Sequence, residues 1–88
     1  MNITENFTGL IKRTSDGFIR DNIYMVGKAM LAKALKNIEA QYQEKILSNM
    51  TTEGADEVKR LMSELGEIST EEIEEAQRQI ISMAQGYI

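Results

Sequence analysis

Between Ile23 and Leu35 the chain places apolar residues on nearly every side of a helical wheel. Ile19, Ile23, Val26, Met30 and Ala34 lie along one stripe, and Leu31, Leu35, Ile38, Tyr42 and Ile46 along an adjacent one. A helix that is apolar nearly all round has to be covered on several sides. The 88 residues contain no proline, so nothing in the covalent chain forbids a long helix here. The spacing predicts one long central helix over about 20–50, within a segment bounded at 18–50. At 1.5 Å per residue, 28–30 residues would span roughly 42–45 Å, long for so short a chain. Two readings of the apolar circumference follow. One is ordinary core packing. The other is a self-association seam formed by Ile23, Val26, Gly27, Met30, Leu31, Ala34, Leu35, Ile38 and Tyr42, where Gly27 and the alanines would let a second helix approach closely.

The flanking segments are shorter. Ile3, Phe7, Leu10 and Ile11 share one helical face, and Asn2 with Glu5 fits a capping pattern, with Thr4 as a competing cap. Residues 1–17 therefore read as an N-terminal segment or short helix ending in a Ser15-Asp16-Gly17 turn. The rival reading is a two-stranded hairpin, Gly9–Lys12 against Phe18–Arg20. Phe7 and Phe18 read as core anchors. After Met50, Thr51 or Thr52 can cap a helix over 52–65 whose face is Val58, Leu61, Met62 and Leu65. Gly66 stands where a left-handed C-terminal residue is expected. Ser69 with Glu72 forms a capping box for a helix over 70–86, with Ile73, Ala76, Ile80, Met83 and Ala84 inward. The fold class is all-α: one domain over 1–88, a small bundle of three to four helices with a C-terminal helical hairpin.

Composition narrows the chemistry. Cys and His are both absent, which removes disulfides, the thiol nucleophile, the commonest general base and the usual zinc, iron and copper sites. The serines sit in no nucleophile elbow, and no phosphate-binding glycine loop occurs. The expectation is a non-enzymatic protein without a cofactor. There is no apolar run long enough for a membrane span and no signal-peptide pattern, so the sequence predicts a cytoplasmic protein without membrane contact.

Charge divides the chain. Residues 1–50 carry 7 Lys/Arg and 5 Asp/Glu, and residues 51–88 carry 3 and 9. Such complementary halves favour self-association or partner binding. The densest acidic run is Glu71, Glu72, Glu74 and Glu75. Carboxylates in a first helical turn are favoured by the dipole, and Glu74 can pair with Arg78 one turn on. The same four, with Tyr87 near the terminus, are the candidate partner-binding residues; metal binding lacks a calcium-loop spacing. The lysines and arginines form no clean stripe, and the net charge is −4, so nucleic-acid binding is disfavoured. The leading expectation is a small protein-binding chain that self-associates as a homo-oligomer: an adaptor, a regulatory inhibitor or a virus-type accessory factor. The alternative is a structural or assembly component of a larger particle.

Overall fold

A computed structural model describes residues 2–86. Its helices are α1 (Ile3–Arg13), α2 (Asp16–Asn22), a 3-10 turn (Ile23–Met25), α3 (Lys28–Ala34), α4 (Ala40–Leu47), α5 (Thr52–Leu65) and α6 (Thr70–Gln85). The all-α class holds, and no strand occurs among the described residues.

Local chemistry sets most helix starts. The Asn2 carboxamide accepts the Glu5 N–H at 2.8 Å and donates to the Glu5 carboxylate at 2.9 Å, closing the cap reciprocally. Thr51 accepts the Gly54 N–H, and Ser69 accepts the Glu72 N–H, each at 3.1 Å. These side chains satisfy N–H groups that no preceding turn can pair. The segment over 9–12 is helical, so the hairpin reading fails. Ser15 does not end in a turn; it caps α2 by accepting the Phe18 N–H. Gly66 closes α5 at φ +59, ψ −140, a positive-φ conformation with ψ away from the left-handed helix that the spacing suggested.

The long helix over 18–50 is not formed. The chain leaves helical geometry at Val26 (φ −90, ψ 127) and Gly27 (φ −60, ψ 140), and again between α3 and α4, where Glu39 has φ −65, ψ 149. The reason is coverage. A straight rod of roughly 42–45 Å would overrun a molecule whose longest dimension is 33 Å and would leave its apolar sides in water. Cutting the rod lets each piece turn its own face inward. The central piece, α3, packs against α5 on one side and α6 on another, while α1 packs on α6 and α4.

That arrangement uses the apolar circumference within one chain. Phe7, Leu31, Ala32, Ala34, Leu35 and Val58 are all but sealed from solvent. Fully burying a Leu or Phe side chain is worth about 1.5–3 kcal/mol, so these few residues dominate the gain.

Polar clamps fix how the pieces sit. Gln77, fully buried on α6, donates to the Ala34 carbonyl at 3.0 Å and to Asn37 Oδ1 at 2.8 Å. It accepts from the Thr4 hydroxyl at 2.8 Å, and Asn37 Nδ2 donates back to Thr4 Oγ1 at 3.3 Å, closing a ring. Lys45 Nζ donates to the Ile11 and Lys12 carbonyls at the C-terminal end of α1, where a cation suits the helix dipole. Gln43 Nε2 donates to the Leu35 carbonyl at 2.7 Å and so pins the turn between α3 and α4.

Two stability outcomes follow. Gln77→Ala should cost about 2–4 kcal/mol in urea unfolding, because it leaves a cavity and strips partners from Ala34, Asn37 and Thr4. Gly66→Ala should cost about 1–3 kcal/mol, because a Cβ is strained at that positive φ. A Gly66→Ala chain as stable as the parent would show that the turn relaxes freely.

Candidate protein-contact surfaces

The acidic start of α6 forms a shallow depression together with α3. Glu71, Glu72, Glu74 and Glu75 line it with Met30, Lys33, Ser69, Ala76, Arg78 and Gln79. Glu71, Glu72 and Glu75 are exposed, and Glu74 is half-buried. The capped first turns of α6 hold the carboxylates near the positive end of the helix dipole. Arg78 pairs with Glu75 at 3.2 Å, not with Glu74 as the spacing suggested. Gln79 also donates to Glu75, at 3.1 Å. These two hydrogen bonds, that from Gln79 foremost, and the Arg78 charge hold the Glu75 carboxyl below its ordinary pKa. Among the described residues, Glu71, Glu72 and Glu74 take part in no ion pair.

A second charged row runs along α5 and reaches α3. Lys28 meets Glu57 at 3.0 Å, Arg60 reaches Glu57 at 3.8 Å, and Arg60 meets Glu64 at 2.6 Å. All are at least two-fifths exposed, so solvent screens each pair. The Lys28 hydrogen bond, and then its charge, lower the Glu57 pKa, with Arg60 adding a smaller pull.

The 3-10 turn contributes apolar surface. Tyr24 is 52% exposed and Met25 53% exposed. The Tyr24 phenol accepts the Thr51 N–H at 2.7 Å, at the cap of α5. Hydrogen bonding from Thr51 lowers the phenol's pKa, and Lys28 assists slightly. Beside the turn lies an apolar cleft of about 80 Å³ between α2, α1 and the last turns of α6. Buried Phe7, Ile11, Leu31 and Ile46 line it with Phe18, Met25 and Met83.

The proposed self-association seam is scattered by the fold. Ile23, Leu31, Ala34, Leu35 and Ile38 are buried in the chain's own core, and Val26, Met30 and Tyr42 are half-buried. Gly27 alone of that set is exposed, and it caps α3 rather than lying inside a helix. Tyr87 lies outside the described residues. Residues that sequence reasoning passed over are Tyr24 and Met25, hidden because a continuous helix would have assigned them no turn, and Gln77. Four residues after Ile73, Gln77 falls on the inward face of α6, and that spacing was its only signal.

No group of three carboxylates positioned to hold a metal ion occurs among the described residues. What these residues offer is contact surface, acidic, mixed-charge and apolar, on an all-helical scaffold. The profile of one family, the FliG C-terminal domain, matches residues 5–88, and the chain belongs to that family. It is also similar to the flagellar motor switch protein FliG of Borreliella burgdorferi, with 42% identity over 53 residues. That stretch covers 60% of this chain and 15% of the relative, so the chain corresponds to a small part of that protein's length.

The lowered carboxyls set the sign of one pH effect. A group whose pKa is depressed by folding adds stability that is present above its unfolded pKa and is lost as pH falls through the folded value. Lys28→Met should therefore raise the Glu57 pKa toward its ordinary value and flatten the acid limb of the stability curve. Side-chain carboxyl titration by NMR reads this directly. An unmoved Glu57 would show that the 3.0 Å contact carries no coupling in solution.

Proposed function

We infer that this chain is a non-enzymatic structural component of a flagellar motor switch, acting through contacts between its helix surfaces and other protein subunits. The observation that carries this reading is the family match across residues 5–88. It is supported by the likeness to a flagellar motor switch protein and by a surface rich in unpaired charge. This favours the assembly-component alternative over the adaptor, inhibitor or accessory-factor reading. Its setting on this proposal is the cytoplasmic side of the motor. Among the described residues no helix is long and apolar enough to cross a membrane.

The acidic start of α6 is the partner face of this proposal. Glu71 and Glu72 present negative charge that no lysine or arginine of the described chain neutralises by a direct ion pair. Charged rim residues act mainly on association rate and on choice of partner, and a like-charged partner surface is repelled. Self-association is retained as part of the proposal in a changed form. Of the seam residues only Val26, Gly27, Met30 and Tyr42 reach the surface, so any contact between copies runs through these and the charged faces.

The test is made in a flagellated host that depends on this chain. Fluorescently tagged chain should gather at the flagellar bases, and Glu71→Lys with Glu72→Lys should reduce swimming while leaving helicity and melting unchanged. A diffuse distribution, with swimming unaffected by loss of the chain, would overturn the assignment to the motor.

A further inference from the structure

We propose that Asp16–Met25, comprising α2 and the 3-10 turn, is a hinged flap over the apolar cleft, opening while the rest of the bundle stays folded. Three independent observations converge on this segment.

The first is its ends. Thr14 and Ser15 on one side, and Val26 and Gly27 on the other, are all in extended backbone geometry. Non-helical pairs at both ends let the intervening turns move as a unit, since short extended links are where a chain absorbs changes in φ and ψ. A Cβ built on Gly27 meets nothing within 4 Å, so space around that hinge is open.

The second is its attachment. No backbone hydrogen bond joins residues 16–25 to another helix; their main-chain bonds are local. The side-chain bonds that leave the segment go to one place, the link between α4 and α5. Asn49, itself buried, accepts from the Arg20 guanidinium at 3.1 Å and donates to Asp16 Oδ1 at 3.1 Å, while its Nδ2 also donates to the Lys45 carbonyl. The Tyr24 phenol accepts from the Thr51 N–H two residues further on. One buried amide and one phenol thus form a latch. Ile19 and Ile23 are the buried apolar anchors that close the flap at equilibrium.

The third is what lies beneath. The cleft already reaches Phe7, Ile11, Leu31 and Ile46, the floor of the core. Lifting α2 would uncover that floor without breaking the Gln77 ring that joins α1, the end of α3 and α6. Segments with few buried contacts and sparse tethers open locally at lower cost than the whole molecule unfolds.

Native-state hydrogen exchange of the full chain tests this. Amides of Arg20–Ile23 should exchange at least about tenfold faster than amides on the buried face of α6, with rates insensitive to low urea. Asn49→Ala should speed the α2 amides by roughly another tenfold, the loss expected for hydrogen bonds that include a charged donor, while their weak urea dependence persists; amides that exchange only through global unfolding gain no more than the same factor, because unfolding breaks the same bonds. Tyr24→Phe keeps the ring and removes only the hydroxyl, so it reads the second half of the latch in a chain whose core is untouched. It should also accelerate the α2 amides at low urea, with their weak urea dependence kept. The proposal fails if α2 and α6 amides share one urea dependence, or if neither variant speeds the α2 amides at low urea.

Discussion

The ring formed by Thr4, Gln77 and Asn37 is the interaction on which the arrangement of the helices depends. Each side chain donates to the next, and Gln77 keeps one further donor for the Ala34 carbonyl. A buried amide without partners would cost several kcal/mol, so the site tolerates one register only. Sliding α6 by one residue would break all three hydrogen bonds of Gln77. Ile73 and Ala76 choose the inward face of α6, and the directional hydrogen bonds of Gln77 add a geometric restriction that non-directional apolar packing lacks. The network thus adds specificity to the core. It does so where α1, the end of α3 and α6 converge; α3 and α6 contribute to both the apolar cleft and the acidic depression, and α1 to the cleft.

How far this could be read from the chain depended on whether the cause was local. The bounds of α5 and α6 were legible because Thr51, Ser69 and Gly66 act on their own neighbours. The start of α1 was legible for the same reason, through Asn2 and Glu5. The breaks at Val26–Gly27 and before Glu39 were not. Neither Gly27 nor Glu39 makes a side-chain cap, and no proline marks either position. Those breaks are produced by packing, which rewards shorter pieces that can fold over one another. Gln77 shows both cases in one residue. Its inward placement follows from Ile73 by helical spacing, but Thr4 and Asn37 stand 73 and 40 residues away. No periodicity could have paired them.

The candidate surfaces divide in the same way. The acidic run of α6 was visible as a run and stayed exposed, because a capped helix start favours carboxylates whatever lies around it. What the spacing could not give was its setting: Met30 and Lys33 from α3 stand beside it, and Arg78 turns to Glu75. The apolar seam had the opposite fate. On the assumption of a rod it could be core or a seam between copies, and the bent chain draws its centre inward. The error lay in the shape of the helix; the demand for cover on several sides was correct, and the chain meets it with its own helices.

The charge split of the two halves acquires a physical meaning from this. Lys28, from the more basic half, crosses to Glu57 on α5, and Lys36 Nζ donates to the Met62 carbonyl near the end of that helix. Lys45 is spent on the end of α1. Several lysines of residues 1–50 are therefore engaged within the fold, holding helices together or covering their carbonyl ends. The carboxylates at the start of α6 are not engaged in this way. Among the described residues Glu71, Glu72 and Glu74 keep no ion-pair partner, while Lys28, Lys36 and Lys45 are engaged by groups on other helices. The result is negative charge fixed on a rigid, capped helix, whose orientation is set by the buried Gln77 further along the same helix.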